Sequence, residues 1–262
     1  MLRYKIRRLI PTGLRRWLYG AASFLGDEFR DTTSQFGGDS FPSIPGALRY
    51  LKAWGFSPVT MIDVGAFRGD WTRMARVVFP VAKVAMIEAQ ENARPCLEDV
   101  SAQLSDVLYR IALLGAVDGK RVDFIEMLTG SSVFEEKSNV PRRKLDKTTT
   151  RLDTLISTDF KWERVDLLKL DVQGYELEVL KGATRCLRTC EVVLLEASLI
   201  PTNRGCPLIA EVIAFMDSSG FYLTDFCSQI RRKDCALWQT DLLFLNKASK
   251  LVPNAELNSS NW

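Results

Sequence analysis

The chain is 262 residues long, with 47% hydrophobic residues and a net charge of only +3. That length supports one sizeable domain with a core of its own, and the near balance of charge gives no sign of nucleic acid as a partner. There is no histidine, which excludes histidine triads, histidine bases and histidine metal ligands, so proton chemistry must come from Asp, Glu, Lys, Tyr or Cys.

The amino terminus, MLRYKIRRLIPTGLRRWLYG, carries six basic residues and no acid, with Leu, Ile, Tyr and Trp interleaved. Its apolar part is too short to span a bilayer, which takes about 20 residues, and acids follow at Asp27 and Glu28, which suits a signal peptide poorly. Two readings stand: an interfacial helix touching anionic lipid, or a segment lying on the domain or in solvent. Residues 31–45 are rich in Ser, Gly, Thr and Pro and read as a linker. The expected organisation is a basic helical segment and linker over 1–45, one domain over 46–250, and a tail over 251–262.

From residue 44 strands and helices alternate. A short helix is expected over 47–54, closed by Gly55. A strand over 59–64 ends at a glycine, and a helix over 71–78 follows. The next pairs are a strand over 83–88 with a helix over 95–104, then strands over 107–114 and 121–127. Residues 129–146 read as irregular and polar. A strand over 167–170 leads into a helix over 175–187, where Tyr175, Val179, Leu180, Ala183 and Leu187 recur at helical spacing. A strand over 191–196, a helix over 208–216 and strands over 221–225 and 241–245 complete the chain. Apolar runs without strict alternation suit strands buried on both faces of a parallel sheet. The last two strands have no clear helix between them, so the final strand is expected to run antiparallel.

Cys96, Cys186, Cys190, Cys206, Cys227 and Cys235 form no C-x-x-C pair. They read as reduced, mostly buried thiols, in keeping with a cytoplasmic protein, peripheral at the inner membrane face if the terminus binds lipid.

The loop after the first strand is DVGAFRGD. Its glycines, Gly65 and Gly69, lack the middle glycine of a dinucleotide fingerprint, and the G-K-[ST] of a P-loop is absent, so a nicotinamide oxidoreductase is disfavoured. A smaller zwitterionic ligand fits better. Backbone at Gly65, Ala66 and Gly69 can approach it closely, amides at the helix start can meet a carboxylate, and Asp63 can receive an ammonium. Glu88 ends the second strand, where an acid commonly takes both hydroxyls of a ribose. An amino-acid end and a ribose together describe S-adenosylmethionine.

Three segments then carry a family resemblance: MIDVGAFRGDWT with MIEAQ after it, RLDTL at 151–155, and LLKLDVQGYELEVLKGA followed by VVLLEAS. The sequence resembles the FkbM family of S-adenosylmethionine-dependent methyltransferases over residues 58–245. It departs from the family at Glu88-Ala89-Gln90, where the family usually has Glu-Pro. The resemblance implies a class I methyltransferase fold: an α/β, Rossmann-like three-layer sandwich with a mostly parallel seven-stranded sheet and a reversed last strand. It also implies that strands four and five flank strand one. Asp171 and Glu196, which close them, are then expected beside the methyl group, Asp171 orienting or deprotonating an acceptor hydroxyl. Ala89, Ala112 and Leu113 are expected around the cofactor. Ser131 and Ser132 lie in a turn that reads as a lid or acceptor-binding loop, or as a solvated surface loop, and Glu176 is either a substrate group or a helix-start residue. Lys169 is available to pair with one of these acids.

The expected activity is O-methylation of a sugar, glycan or other natural product. The alternatives are an N-methyltransferase and a non-catalytic binding subunit. Asp171 and Glu196 make up half of an oxygen-rich divalent-metal site, too little to assign a metal.

Overall fold

The computed structural model describes residues 42–127, 130–134, 142–201 and 203–251. The expected basic segment, most of its linker, nearly all of the tail and much of loop 128–146 lie outside these residues.

In chain order the elements are α1 (Ile44–Ala53), β1 (Thr60–Val64), α2 (Asp70–Val78), β2 (Lys83–Glu88), α3 (Arg94–Gln103), β3 (Val107–Ile111), β4 (Leu113–Leu114), β5 (Arg121–Glu126) and β6 (Arg143–Thr150). They continue with α4 (Leu152–Leu155), running into one wide turn over Ile156–Phe160, then β7 (Leu167–Leu170), α5 (Glu176–Lys181), α6 (Thr184–Thr189), β8 (Val192–Ser198), α7 (Ile209–Ser218), β9 (Phe221–Phe226), β10 (Ile230–Arg231) and β11 (Leu237–Asn246).

The main sheet has the order β3-β2-β1-β7-β8-β11, with β9 and the two-residue β10 along the outer edge of β11. Strands from β3 to β8 run parallel and β11 runs antiparallel to β8. This is the class I methyltransferase arrangement, with β10 added to the seven expected strands.

Side-chain alternation builds two cores from one set of strands. Ile62, Val64, Leu168 and Leu170 face Val179, Leu180 and Met216 of the helices on one side. Met61, Leu167 and Leu194 face Leu48, Leu51, Ala75 and Leu97 on the other. Each buried Leu or Ile contributes about 1.5–3 kcal/mol relative to exposure. Asp63 and Lys169 sit on the second of these faces, so the sheet carries charge into an apolar layer and has to pair it.

Helix ends follow local chemistry. The Ser43 hydroxyl accepts the Gly46 amide at 3.1 Å, with Pro45 in the first turn of α1. That helix therefore begins three residues before the expected start, inside the stretch read as linker.

Three expectations are corrected. The helix expected over 175–187 is two helices, because Gly182 lies against Gly115: a Cβ on Gly182 would come within 2.1 Å of the Gly115 carbonyl oxygen. The strand expected over 107–114 breaks, and its last residues, β4, pair with β6 instead. The stretch read as irregular ends in β6, which pairs antiparallel with β5 over Arg121–Glu126 and joins β4 in a second, three-stranded sheet.

Candidate active site

β1, β2 and β7 end at one edge of the sheet, and their following loops enclose a cleft of about 430 Å³, mouth included. Val64 and Gly65 form part of its lining, with Glu88 and Ala89 from the end of β2. Ala112 and Leu113 line a wall with Phe124 of the second sheet. Ser131 and Ser132 stand on the side of the β5–β6 connection, and Asp171, Val172 and Tyr175 on the side of β7. So Gly65, Glu88, Ala89, Ala112, Leu113, Ser131, Ser132 and Asp171, chosen from the sequence, meet around one space.

Gly65 is obligatory where it stands. Its φ is +73°, and a Cβ there would lie 1.9 Å from the Asp171 carbonyl oxygen. The ends of β1 and β7 therefore touch backbone to backbone. Ala66 is buried, with its amide on the Ile87 carbonyl at 3.1 Å. Gly69 packs against Val100 and Met86. These two shape the loop from behind and do not line the cleft.

Glu88 is held on both oxygens. Oε2 accepts the Phe67 amide and Oε1 the Gln90 amide, each at 2.8 Å. Burial pushes its carboxyl up, and the Gln90, Phe67 and Ala89 amides work against that. The two oxygens keep capacity for a further hydroxyl.

Asp63 has a task other than the expected one. It is fully buried, accepts the Thr72 hydroxyl at 2.8 Å and lies 3.1 Å from the Lys169 ammonium. The cation expected from a ligand is supplied by the protein, since Asp63 and Lys169 are cross-strand partners on β1 and β7. The same ammonium is 3.8 Å from Asp171 Oδ2 and 3.3 Å from the Gly65 carbonyl oxygen.

Glu176 is also reassigned. It is buried, and Oε1 accepts the Val172 and Gly174 amides at 3.1 Å each. It ties the turn between β7 and α5 and lines no part of the cleft. Burial raises its carboxyl to about 7 against those amides, with the nearby Asp171 charge adding to the rise.

Asp171 follows the last residue of β7, and Glu196 lies within the neighbouring β8, shortly before its end. A residue that sequence reasoning passed over joins them: the Gln173 side-chain amide donates to Asp171 Oδ1 at 2.8 Å and to Glu196 Oε1 at 3.0 Å. Glu196 also accepts Gln239 Nε2 at 2.6 Å, is only 2% exposed, and lies behind the cleft lining. A glutamine before a glycine reads as turn chemistry, so its role leaves no mark in the sequence. Phe124 and Tyr175 were passed over because an aromatic at a core position looks the same as one facing a ligand.

RLDTL proves to be architecture. Asp153 is buried, accepting the Cys186 amide on Oδ1 and the Arg185 amide and Thr184 hydroxyl on Oδ2, which caps α6. Among the described residues no three acidic or cysteine side chains converge as a metal site.

The profile of the methyltransferase FkbM domain matches residues 63–223, more than half the chain. The chain belongs to the FkbM methyltransferase family. It is an S-adenosylmethionine-dependent methyltransferase, in keeping with a match that runs from the end of β1 through β2, β7 and β8. No curated protein sequence matches it. Solved structures similar to this FkbM protein include a SAM-dependent methyltransferase from Aquifex aeolicus, with 15% identity, 78% of this chain and 90% of that chain covered, and TM-score 0.42. Others are a precorrin-6y C5,15-methyltransferase from Geobacter metallireducens (12%, 80% and 95%, 0.44) and a ribosomal protein L11 methylase from Lactobacillus delbrueckii (12%, 76% and 77%, 0.44).

The cleft suits that donor. Ala112 and Leu113 offer an apolar wall, Glu88 is a fixed acid at the end of β2, and the tight β1 loop lets backbone approach closely. When bound, the cofactor supplies an electrophilic methyl group. The protein supplies alignment, exclusion of water and a place for the acceptor's proton.

Proposed function

We propose that this FkbM methyltransferase transfers a methyl group to a hydroxyl of a sugar, glycan or related natural product, with Asp171 as the group that orients the hydroxyl and takes its proton. One observation carries the reading. Asp171 is a carboxylate on the cleft wall at the end of β7, with one oxygen anchored by Gln173 and the other near the Lys169 ammonium. A neutral amide donor on one oxygen and an ammonium near the other both suit a carboxylate, which is the form that accepts a proton. Ser131 and Ser132 add hydroxyls on the facing side, suited to a polyhydroxy acceptor. Their own bonds, to Met127 and to the Gln173 carbonyl, hold them in place.

The reading extends to the cell. Six unpaired thiols fit the cytoplasm. No described helix is long and apolar enough to cross a membrane. The proposed membrane contact is peripheral: α1 carries Arg49 and Lys52 and no acid, Tyr50 and Trp54, one turn apart, are 39% and 47% exposed, and the sequence before α1 includes the basic amino terminus.

The deciding experiment is a methyl-transfer screen with labelled cofactor over sugars, glycosides and amines, with and without magnesium, preceded by calorimetry with S-adenosylhomocysteine. Transfer to a hydroxyl that disappears in Asp171→Asn supports the reading. Transfer to amines alone replaces it with N-methylation. Absence of cofactor binding replaces it with a binding subunit.

A further inference from the structure

Gln173, between the cleft-lining residues Val172 and Tyr175, is tightly constrained. Its φ is +55°, a left-handed conformation that costs a side-chain-bearing residue about 1–2 kcal/mol. Gly174 follows at +99°, where a Cβ would lie 2.7 Å from Cys206 Cβ. Strain of this kind persists where surrounding bonds over-determine it. Here they do. The Gln173 carbonyl oxygen accepts the Ser132 hydroxyl at 2.8 Å and the Asn203 side-chain amide at 2.9 Å. Both lone pairs of that oxygen are used, and both side-chain N–H groups go to Asp171 and Glu196. The amide orientation is unambiguous, because its oxygen turned toward two carboxylates would be repelled.

We infer that Gln173 is a positioning residue that couples two surrounding connections, through Ser132 and Asn203, to the carboxylates of Asp171 and Glu196, and so sets their orientation and ionisation for the acceptor. Ser132 belongs to the β5–β6 connection and Asn203 to the β8–α7 connection. A shift of either moves the Gln173 backbone, and the side chain, held at its amide by both carboxylates, passes the shift to Asp171 Oδ1 and Glu196 Oε1. Glutamine suits the task. It is a neutral double donor, where glutamate would add a third negative charge and asparagine would be one methylene short. The inference rests on Asp171 being the proton acceptor, but its test needs no acceptor molecule.

The test uses the full chain with carboxyl-labelled Asp and Glu, in saturating S-adenosylhomocysteine, and follows the titration of Asp171 and Glu196 by carbon NMR. Signals are assigned from their loss in Asp171→Asn and Glu196→Gln. In Gln173→Gly both midpoints should rise, on the order of one unit. The chain should keep its thermal midpoint, because glycine adopts positive φ without strain. Ser132→Ala and Asn203→Ala should shift the same two midpoints in the same direction by less, and neither should add to the effect of Gln173→Gly. Unmoved midpoints in Gln173→Gly overturn the clamp. Moved midpoints there with unmoved midpoints in both loop variants overturn the coupling. Calorimetry keeps the two levels apart: wild type failing to bind S-adenosylhomocysteine sinks the methyltransferase reading of the cleft, whereas a clamp failure leaves that binding intact.

Discussion

Asp171, Glu176 and Asp63 are three acids at one sheet edge with three different tasks, and each task predicts a different measurement. Asp171 lines the cleft, so Asp171→Asn should lower turnover about 10²–10⁴-fold while affinity for S-adenosylhomocysteine stays within about twofold. A collapse of affinity would make it a cofactor ligand. Glu176 is buried and its folded-state value, about 7, lies above the ordinary 4.5. The protonated form is therefore the one the fold favours, and its stabilisation is complete below 4.5 and lost as pH rises through about 7. Thermal midpoints of wild type should fall across that window more than those of Glu176→Gln, which keeps an acceptor for the two amides; parallel curves would refute this. Asp63 is paired with Lys169 inside an apolar layer. Lys169→Met strands a buried carboxylate and should cost about 3–5 kcal/mol. The double variant Asp63→Asn, Lys169→Met should recover part of that loss in urea unfolding.

At the scale of elements, the second sheet and the broken helix matter most. β6 reads RKLDKTTT, with charged residues on both faces. Nothing in that pattern distinguishes a strand from a polar loop. The strand exists because β5 offers a ladder along Arg121–Glu126 and because Thr149 is buried, its hydroxyl on the Val117 carbonyl at 2.7 Å. Its effect on the site is direct: Lys147 reaches the Ala89 carbonyl and lies 5.4 Å from the Phe124 ring centroid, so this sheet braces the loop after β2. Between α5 and α6 the break at Gly182 is closed by Asp153. Asp153→Ala leaves two amides at the start of α6 without their acceptor and should cost about 1–3 kcal/mol. S-adenosylhomocysteine affinity of the folded fraction should be unchanged. Weakened binding would mean that RLDTL serves the site after all.

For the whole molecule, cofactor binding and membrane contact are the global readouts. A ligand at a hundred times its Kd adds about 2.7 kcal/mol, so saturating S-adenosylhomocysteine should raise the thermal midpoint by several degrees. Besides Tyr50 on α1 and Trp54 just after it, Val59 before β1 and Val81 before β2 are exposed apolar side chains, 64% and 82%, at the opposite edge of the sheet from the cleft. Sedimentation with phosphatidylserine vesicles should pull down the full chain, less so at high salt. Tyr50→Ser with Trp54→Ser should weaken it several-fold. Equal recovery with neutral vesicles would remove the electrostatic part of the proposal.

The sequence alone pointed to the alternation of strands and helices, the reversed final strand and half of the residues that line the cleft. Hydrophobic periodicity and glycines after strands are local signals, and a parallel α/β fold brings strand ends to one edge whatever the details. Tertiary structure alone decided which acids face that cleft and which are consumed within the protein. Asp63, Glu176 and Asp171 all stand in or near strand-to-helix junctions and look alike in one dimension. Their roles depend on partners 106, 4 and 2 residues away, Lys169, Val172 and Gln173. Only packing determines whether a carboxylate meets a buried ammonium, the amides of its own turn, or the space left for a ligand.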